Sequence, residues 1–244
     1  MHSNSSLGHM PKDGWVFDES VAEVFEDMLS RSIPQYEVMR RAVTALSLAY
    51  MQPNTRILDL GCSEGASIAP LVASSRPEQA IDFIGYETSP AMLKRVRERF
   101  VGFDEVEIID ADLRSGISDP VVWEGDKDCS VILSILTLQF IPIEYRAMII
   151  DQCYRLLHKG GALIVVEKVL GPSSELDYAF QRQYKQMKLD NGYSMPEIER
   201  KKKALEGVLV PLLADWNVEM MERAGFRVDC FWRWMNFAGW LALK

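Results

Sequence analysis

Apolar positions recur every three or four residues from Asp18 to Tyr50, with Val21, Val24, Phe25, Met28 and Leu29 on one stripe, which predicts helix. Ser32, Ile33 and Pro34 break the stripe, and a second helix is expected through Met39, Val43, Leu46 and Leu48. The period then changes. Residues 56–62, ArgIleLeuAspLeuGlyCys, form a short continuous apolar run entering a glycine turn, the pattern of a buried strand. Strand and helix signals alternate beyond it. Strands are expected at Ile81–Tyr86, Val106–Asp110, Cys129–Ser134 and Ala162–Val166. Helices are expected at 66–75, 90–101 and 144–157, the last ended by Gly160 and Gly161.

Such alternation implies a parallel sheet with helices on both faces. Residues 174–206 predict one or two helices, broken near Asn191 and Gly192, with Ser194 as a cap. After a helix at 215–224, the runs 226–233 and 236–243 predict two strands joined by a tight connection around Asn236. A terminal hairpin on a parallel sheet gives an antiparallel edge. The expectation is therefore one α/β domain over 10–244, Rossmann-like, with 18–50 and 172–210 as a helical cover. The first nine residues, MetHisSerAsnSerSerLeuGlyHis, lack both apolar periodicity and the basic start of a secretory signal, and are read as a vector remnant.

Composition narrows the function. Of 244 residues, 48% are hydrophobic and 25% charged, ordinary for a globular domain of this length, and no apolar run approaches the ~20 residues of a membrane helix. A cytoplasmic location follows as the default. The net charge of −8 argues against a protein that grips nucleic acid through its overall field. Cys62, Cys129, Cys153 and Cys230 are scattered, with no C-x-x-C pair, so no metal site is expected.

The chemistry centres on AspLeuGlyCysSerGluGly, residues 59–65, between a strand and a helix. Glycine there lets backbone approach a ligand closely, and a helix start offers free N–H groups. Glu87 ends the second strand, where an acid can accept hydrogen bonds from both ribose hydroxyls. Asp112 follows the third strand, where a carboxylate can face an adenine amino group. The first turn is G-x-x-x-G rather than the G-x-G-x-x-G of a dinucleotide site. Together with the terminal hairpin, these acids point to S-adenosyl-L-methionine (SAM) instead of NAD. A class I SAM-dependent methyltransferase fold is the expectation.

Several segments add a closer likeness. GlyTrpValPheAspGluSerValAlaGluValPhe (14–25), ArgSerIleProGlnTyr (31–36), AspLeuGlyCysSer (59–63), SerProAlaMet (89–92), ThrLeuGlnPhe (137–140), AsnGlyTyrSer (191–194) and AsnPheAla (236–238) resemble the carboxy-S-adenosyl-L-methionine synthase family, formerly described as tRNA wobble-uridine methyltransferases. The resemblance spans nearly the whole chain from Gly14. It implies a seven-stranded sheet with an antiparallel edge, a homodimer, and a cofactor pocket closed by Tyr36, Gly61, Glu87, Asp112, Leu113 and the helix after Asn191. With the motif residues and the strand ends, the expected cofactor-binding set is Tyr36, Asp59, Gly61, Ser63, Gly65, Glu87, Thr88, Asp112, Leu113 and Ser134.

Two positions depart from that family. Where its members carry an arginine for the extra carboxylate, this chain has Lys202, flanked by Lys201 and Lys203. Lysine keeps the charge and loses the planar two-pronged donor. Where the family has asparagine before the ThrLeuGlnPhe motif, this chain has Ile135. These departures favour methyl transfer from SAM to a small or medium-sized acceptor. The alternative is a synthase of carboxy-S-adenosyl-L-methionine that uses SAM and prephenate and feeds tRNA wobble-uridine modification. Lys202 and Tyr193 are the candidate substrate or carboxylate anchors, and Tyr184 is a further candidate for the pocket lining. His158, the one histidine beyond the first nine residues, follows a helix away from the strand carboxyl ends, so no Ser–His–Asp or Cys–His arrangement can be built.

Overall fold

The computed structural model describes residues 15–117 and 127–244. The expected remnant at 1–9 lies outside them. Three helices come first: α1 (Glu19–Ala22), α2 (Phe25–Ser32) and α3 (Tyr36–Tyr50). The Asp18 side chain accepts from the Val21 amide and starts α1. One continuous helix was expected up to Ser32, but the chain breaks between α1 and α2 with no proline or glycine to announce it.

The alternating part follows as β1 (Arg56–Leu60), α4 (Ala69–Ser74), β2 (Asp82–Glu87), α5 (Pro90–Arg99), β3 (Val106–Asp110), β4 (Cys129–Ile135), α6 (Ile143–Leu156) and β5 (Leu157–Leu170). Then come α7 (Ser174–Asp190), α8 (Met195–Ala204), β6 (Leu212–Leu213), α9 (Ala214–Ala224), β7 (Arg227–Trp234) and β8 (Phe237–Leu243). Gly192, with φ of +88°, separates α7 from α8, and Ser194 and Glu197 form a reciprocal cap on α8. Two boundaries differ from expectation. Helix α4 begins three residues late, because the turn after β1 continues to Ile68. The Gly160–Gly161 pair does not end α6; it lies inside β5, where Gly160 N–H donates to the Lys244 carbonyl at 3.0 Å.

The strand order is β3-β2-β1-β4-β5-β8-β7, with β6 pairing β5 alongside this path. Strands β1 to β5 run parallel, and β8 is antiparallel to both β5 and β7. The terminal hairpin therefore sits at the edge as expected, but the reversed strand is its inner member. Burial explains the choice. Strand β8, PheAlaGlyTrpLeuAlaLeu, is apolar along both faces, while β7 carries Arg227, Asp229 and Arg233 and tolerates the solvated edge. Among the described residues no helix is long and apolar enough to cross a membrane.

Two apolar clusters cover the sheet. Met39 and Val43 of α3, Leu71 of α4 and Val96 of α5 pack on one; Ile149, Ile150 and Cys153 of α6 and Met221 of α9 pack on the other. A smaller cluster of Trp15, Val21, Met28, Met92 and Ala204 ties the amino-terminal helices to α5 and α8, so the cover is anchored at both ends. The order of strands reverses between β1 and β4, and that crevice at the strand carboxyl ends is where such sheets bind ligands.

A buried polar knot holds the loop beyond β4. Arg146, 2% exposed, donates through Nε to the Ile141 carbonyl and through Nη2 to the Val210 carbonyl, both at 2.8 Å. Glu167 on β5, also 2% exposed, accepts from the Leu138 amide at 3.0 Å. Burial pushes the Glu167 carboxyl up to about 8, against the pull of the Arg146 guanidinium and nearby amides. Arg146→Ala is expected to cost about 2–4 kcal/mol of stability, because it leaves the Ile141 and Val210 carbonyls without their donor. Urea unfolding measures this, and a loss under about 1 kcal/mol would mean that the guanidinium does not brace the loop.

Candidate active site

Strand β1 ends in a turn that only glycine can make. Gly61 has φ of +76°, and a Cβ there would lie 2.5 Å from Thr137 Cγ2 and 2.7 Å from Thr137 Oγ1. The amides of Gly61 and Cys62 both donate to the Tyr86 carbonyl at 2.9 Å. Glu87, the last residue of β2, closes the arrangement. Its Oε2 accepts from the Ser63 amide at 3.0 Å, and its Oε1 accepts from the amides of Thr88 and Ser89 at 2.8 Å each. One carboxylate thus fixes the turn after β1 to the loop after β2.

A cavity of about 440 Å³ opens over this turn, within the usual range for small-molecule sites. Tyr36, Asp59, Gly61, Ser63, Glu87, Thr88, Asp112 and Leu113, all in the expected set, line it. Gly65, Ser134, Tyr193 and Lys202 are not among its walls. Gly65 instead packs on Phe100, whose Cε2 would lie 2.5 Å from an added Cβ. Ser134 is fully buried on β4, its side chain turned by strand alternation away from Leu133 and Ile135, and its hydroxyl has no partner. Ile135 lines the cavity, so the asparagine-to-isoleucine departure lies in the wall. Lys202 is exposed on α8, whereas Lys201 beside it is only 7% exposed. The spacing Ile198, Lys201, Ala204 already marks Lys201 as the residue on the buried face. Tyr193 is buried too, its hydroxyl 3.1 Å from Ser32 Oγ.

Sequence reasoning missed part of the wall. Arg40 lines it, donates to the Ala66 carbonyl at 2.7 Å, and lies 5.5 Å over the Tyr36 ring. It stands four residues after Tyr36, one turn along α3, which is the signal that could have found it. Phe17 and Phe140 meet edge to face with centroids 5.2 Å apart and close another side. Nothing in their sequence spacing brings residues so distant together.

The electrostatics favour a cationic and nucleoside-like guest. Asp59 is 1% exposed and its Oδ2 has no hydrogen-bond partner. Burial first, then the neighbouring Glu87 charge, pushes its carboxyl up to about 7. A buried carboxyl with one unpartnered oxygen in a cavity wall fits an ammonium or sulfonium charge. Asp112 is held open to the cavity mouth by Arg114, whose hydrogen bond and charge keep its carboxyl below the usual range. These features suit SAM, with its amino-acid ammonium, sulfonium, ribose and adenine. Among the described residues no group of three His, Cys, Asp or Glu comes together as a metal site.

A pH dependence follows for Asp59. With its folded pKa raised, the stability tied to this carboxyl is full below about pH 4 and is lost as pH rises through about 7. Asp59→Asn is expected to flatten that fall in the ligand-free protein. It is also expected to weaken SAM binding about ten- to a hundredfold at about pH 8, with a smaller loss near pH 6. Thermal melts and calorimetry across this range measure both, and identical pH profiles for the two proteins would remove Asp59 from the site.

Comparisons with known proteins agree with the fold. A family model described as a methyltransferase domain matches residues 57–161, the stretch from β1 into β5. Among solved structures, an O-methyltransferase family protein from Burkholderia thailandensis superposes with a TM-score of 0.61 at 16% identity, over 93% of this chain and 60% of that one. Phosphoethanolamine N-methyltransferase 2 of Haemonchus contortus, in complex with SAM, gives a TM-score of 0.62 at 13% identity over 93% and 57%. These two likenesses establish the fold alone. The carboxy-S-adenosyl-L-methionine synthase of Methylococcus capsulatus is 42% identical over 95% of this chain and 94% of its own length. That of Hydrogenovibrio crunogenus is 35% identical over 93% and 88%. With a SAM-type cavity at the switch point of the sheet and an aligned length that takes in the cover helices as well as the core, the chain belongs to the carboxy-S-adenosyl-L-methionine synthase family of SAM-dependent enzymes.

Proposed function

We propose that this enzyme makes carboxy-S-adenosyl-L-methionine from SAM and a carboxylate donor, prephenate by family likeness. The observation that carries this reading is the reach of the 42% identity over 95% of the chain. It takes in α1–α3 and α7–α8, which lie outside the matched methyltransferase domain at 57–161. In this reading Asp59 meets the amino-acid ammonium, Glu87 the ribose hydroxyls, and Asp112 and Leu113 the adenine. SAM supplies a methyl group activated by its positive sulfonium. The chain's own residues orient that methyl and exclude water, with Tyr36, Phe17, Phe140 and Ile135 as the apolar walls.

A second reading, methyl transfer to a small acceptor, is favoured by two particular residues. Ile135 gives the wall an apolar face, and Lys202 is exposed on α8. We further propose a cytoplasmic homodimer that supplies tRNA wobble-uridine modification without itself gripping RNA. The net charge of −8 supports the last point. Helix α7 supports the dimer: none of its residues is buried, and Leu176 and Tyr178 are 45% and 67% exposed.

The test is product analysis. Purified enzyme incubated with SAM and prephenate should yield a SAM derivative heavier by one carbon dioxide, detected by mass spectrometry. Failure to form it, together with demethylated cofactor in the presence of a small acceptor, would replace this reading with the second.

A further inference from the structure

Arg40 of α3 brings to the cavity wall a positive charge whose hydrogen-bonding capacity is mostly unspent. Its Nη2 donates to the Ala66 carbonyl at 2.7 Å, and its guanidinium lies over the Tyr36 ring. A guanidinium carries five N–H donors, so this bond leaves much of the fork free. Its ion-pair contact is long. Nη1 stands 3.9 Å from Glu26 Oε1, beyond hydrogen-bond distance, and the Glu26 side chain is 74% exposed. Such a pair contributes little. Arg114, also in the wall, is by contrast already committed, with Nε and Nη2 both donating to Asp112 Oδ2.

The same cavity carries the opposite charge on its other side. Asp59 of β1 is buried with Oδ2 unpartnered. Among the described residues, Asp59 and Arg40 make no ion pair with each other. They belong to different layers: Asp59 to the sheet, and Arg40 to the helix that packs over it through Met39 and Val43. Ser63 and Ser67, on either side of Ala66 in the chain, line the cavity as well and bring hydroxyls to it. An acid and a guanidinium that line one cavity without meeting fit a guest bearing both signs at one end. An α-amino acid is such a guest, and SAM ends in one. Asp59 by itself does not distinguish SAM from the same molecule lacking its carboxyl, because both keep the ammonium. A planar fork does, since it bonds a carboxylate through two parallel N–H contacts.

We propose that Arg40 is a specificity-determining residue that binds the amino-acid carboxylate of SAM, so that the cavity selects the intact amino acid over its decarboxylated form. The bound cofactor thereby ties the cover to the sheet, with its carboxylate on α3 and its ammonium on β1. This role rests on SAM as the cofactor, and is independent of whether the product is carboxylated.

The test compares, by calorimetry on the purified chain, S-adenosylhomocysteine and its decarboxylated analogue, which keeps the amine. Wild type should bind S-adenosylhomocysteine about ten- to a hundredfold more tightly, the loss expected for a charge-assisted hydrogen bond. Arg40→Met should bring S-adenosylhomocysteine down to the level of the analogue, while leaving the analogue within about twofold of wild type. Arg40→Lys, which keeps the charge without the fork, should recover part of the preference. Arg41→Met, one residue along on the exposed side of α3, should keep it in full. Equal weakening of both ligands by Arg40→Met would show a purely structural role and overturn the proposal, as would an Arg40→Met protein that still prefers the carboxylated ligand. Equal wild-type affinity for the two ligands would overturn it while the cofactor assignment stands. Binding of neither would overturn both.

Discussion

The carboxylate of Glu87 is the contact on which the site depends. It accepts three backbone amides from two loops, at Ser63 and at Thr88 and Ser89. Such charge-assisted bonds are about twice as strong as neutral ones. They hold the left-handed turn at Gly61 against Thr137, where no side chain fits. With that turn fixed, Asp59 stays buried at its base and β1 meets β4 at the reversal of strand order, which leaves the cavity open above. The charge of Glu87 also raises Asp59 toward neutrality. The same residue thus ties the cavity's loops together and adds to the effect of burial on Asp59.

The inner strands of the sheet could be read from the sequence because they are buried on both faces. Residues 56–60 are apolar but for Arg56 and Asp59, and every one is buried in β1. Period alone was enough there. It was less informative where pairing partners decide the structure. The glycine pair at 160–161 has the local chemistry of a helix stop, yet the backbone there pairs with Lys244 at the far end of the chain. Strand β6 is two residues long and shows no period at all. The reversed strand proved to be the inner one of the hairpin, a choice dictated by Arg227, Asp229 and Arg233 on its neighbour.

The site divides in the same way. The candidate acids stand at or just beyond strand ends, so the alternation alone brings Asp59, Glu87 and Asp112 to one cavity. Ser134 lies outside the cavity wall because a strand turns successive side chains to opposite faces, and its neighbours Leu133 and Ile135 face the other side. Among the lysines of α8, the resemblance singled out Lys202, whereas helical spacing buries Lys201.

The most direct test of the account is a calorimetric titration of SAM into ligand-stripped protein, comparing wild type with Glu87→Ala and Glu87→Gln. The account predicts one SAM per chain for wild type and an affinity several-fold to about a hundredfold weaker for Glu87→Ala. Glu87→Gln, which retains an acceptor oxygen without the charge, should fall between them. Equal affinity in all three would contradict the placement of the cofactor over the turn that Glu87 holds.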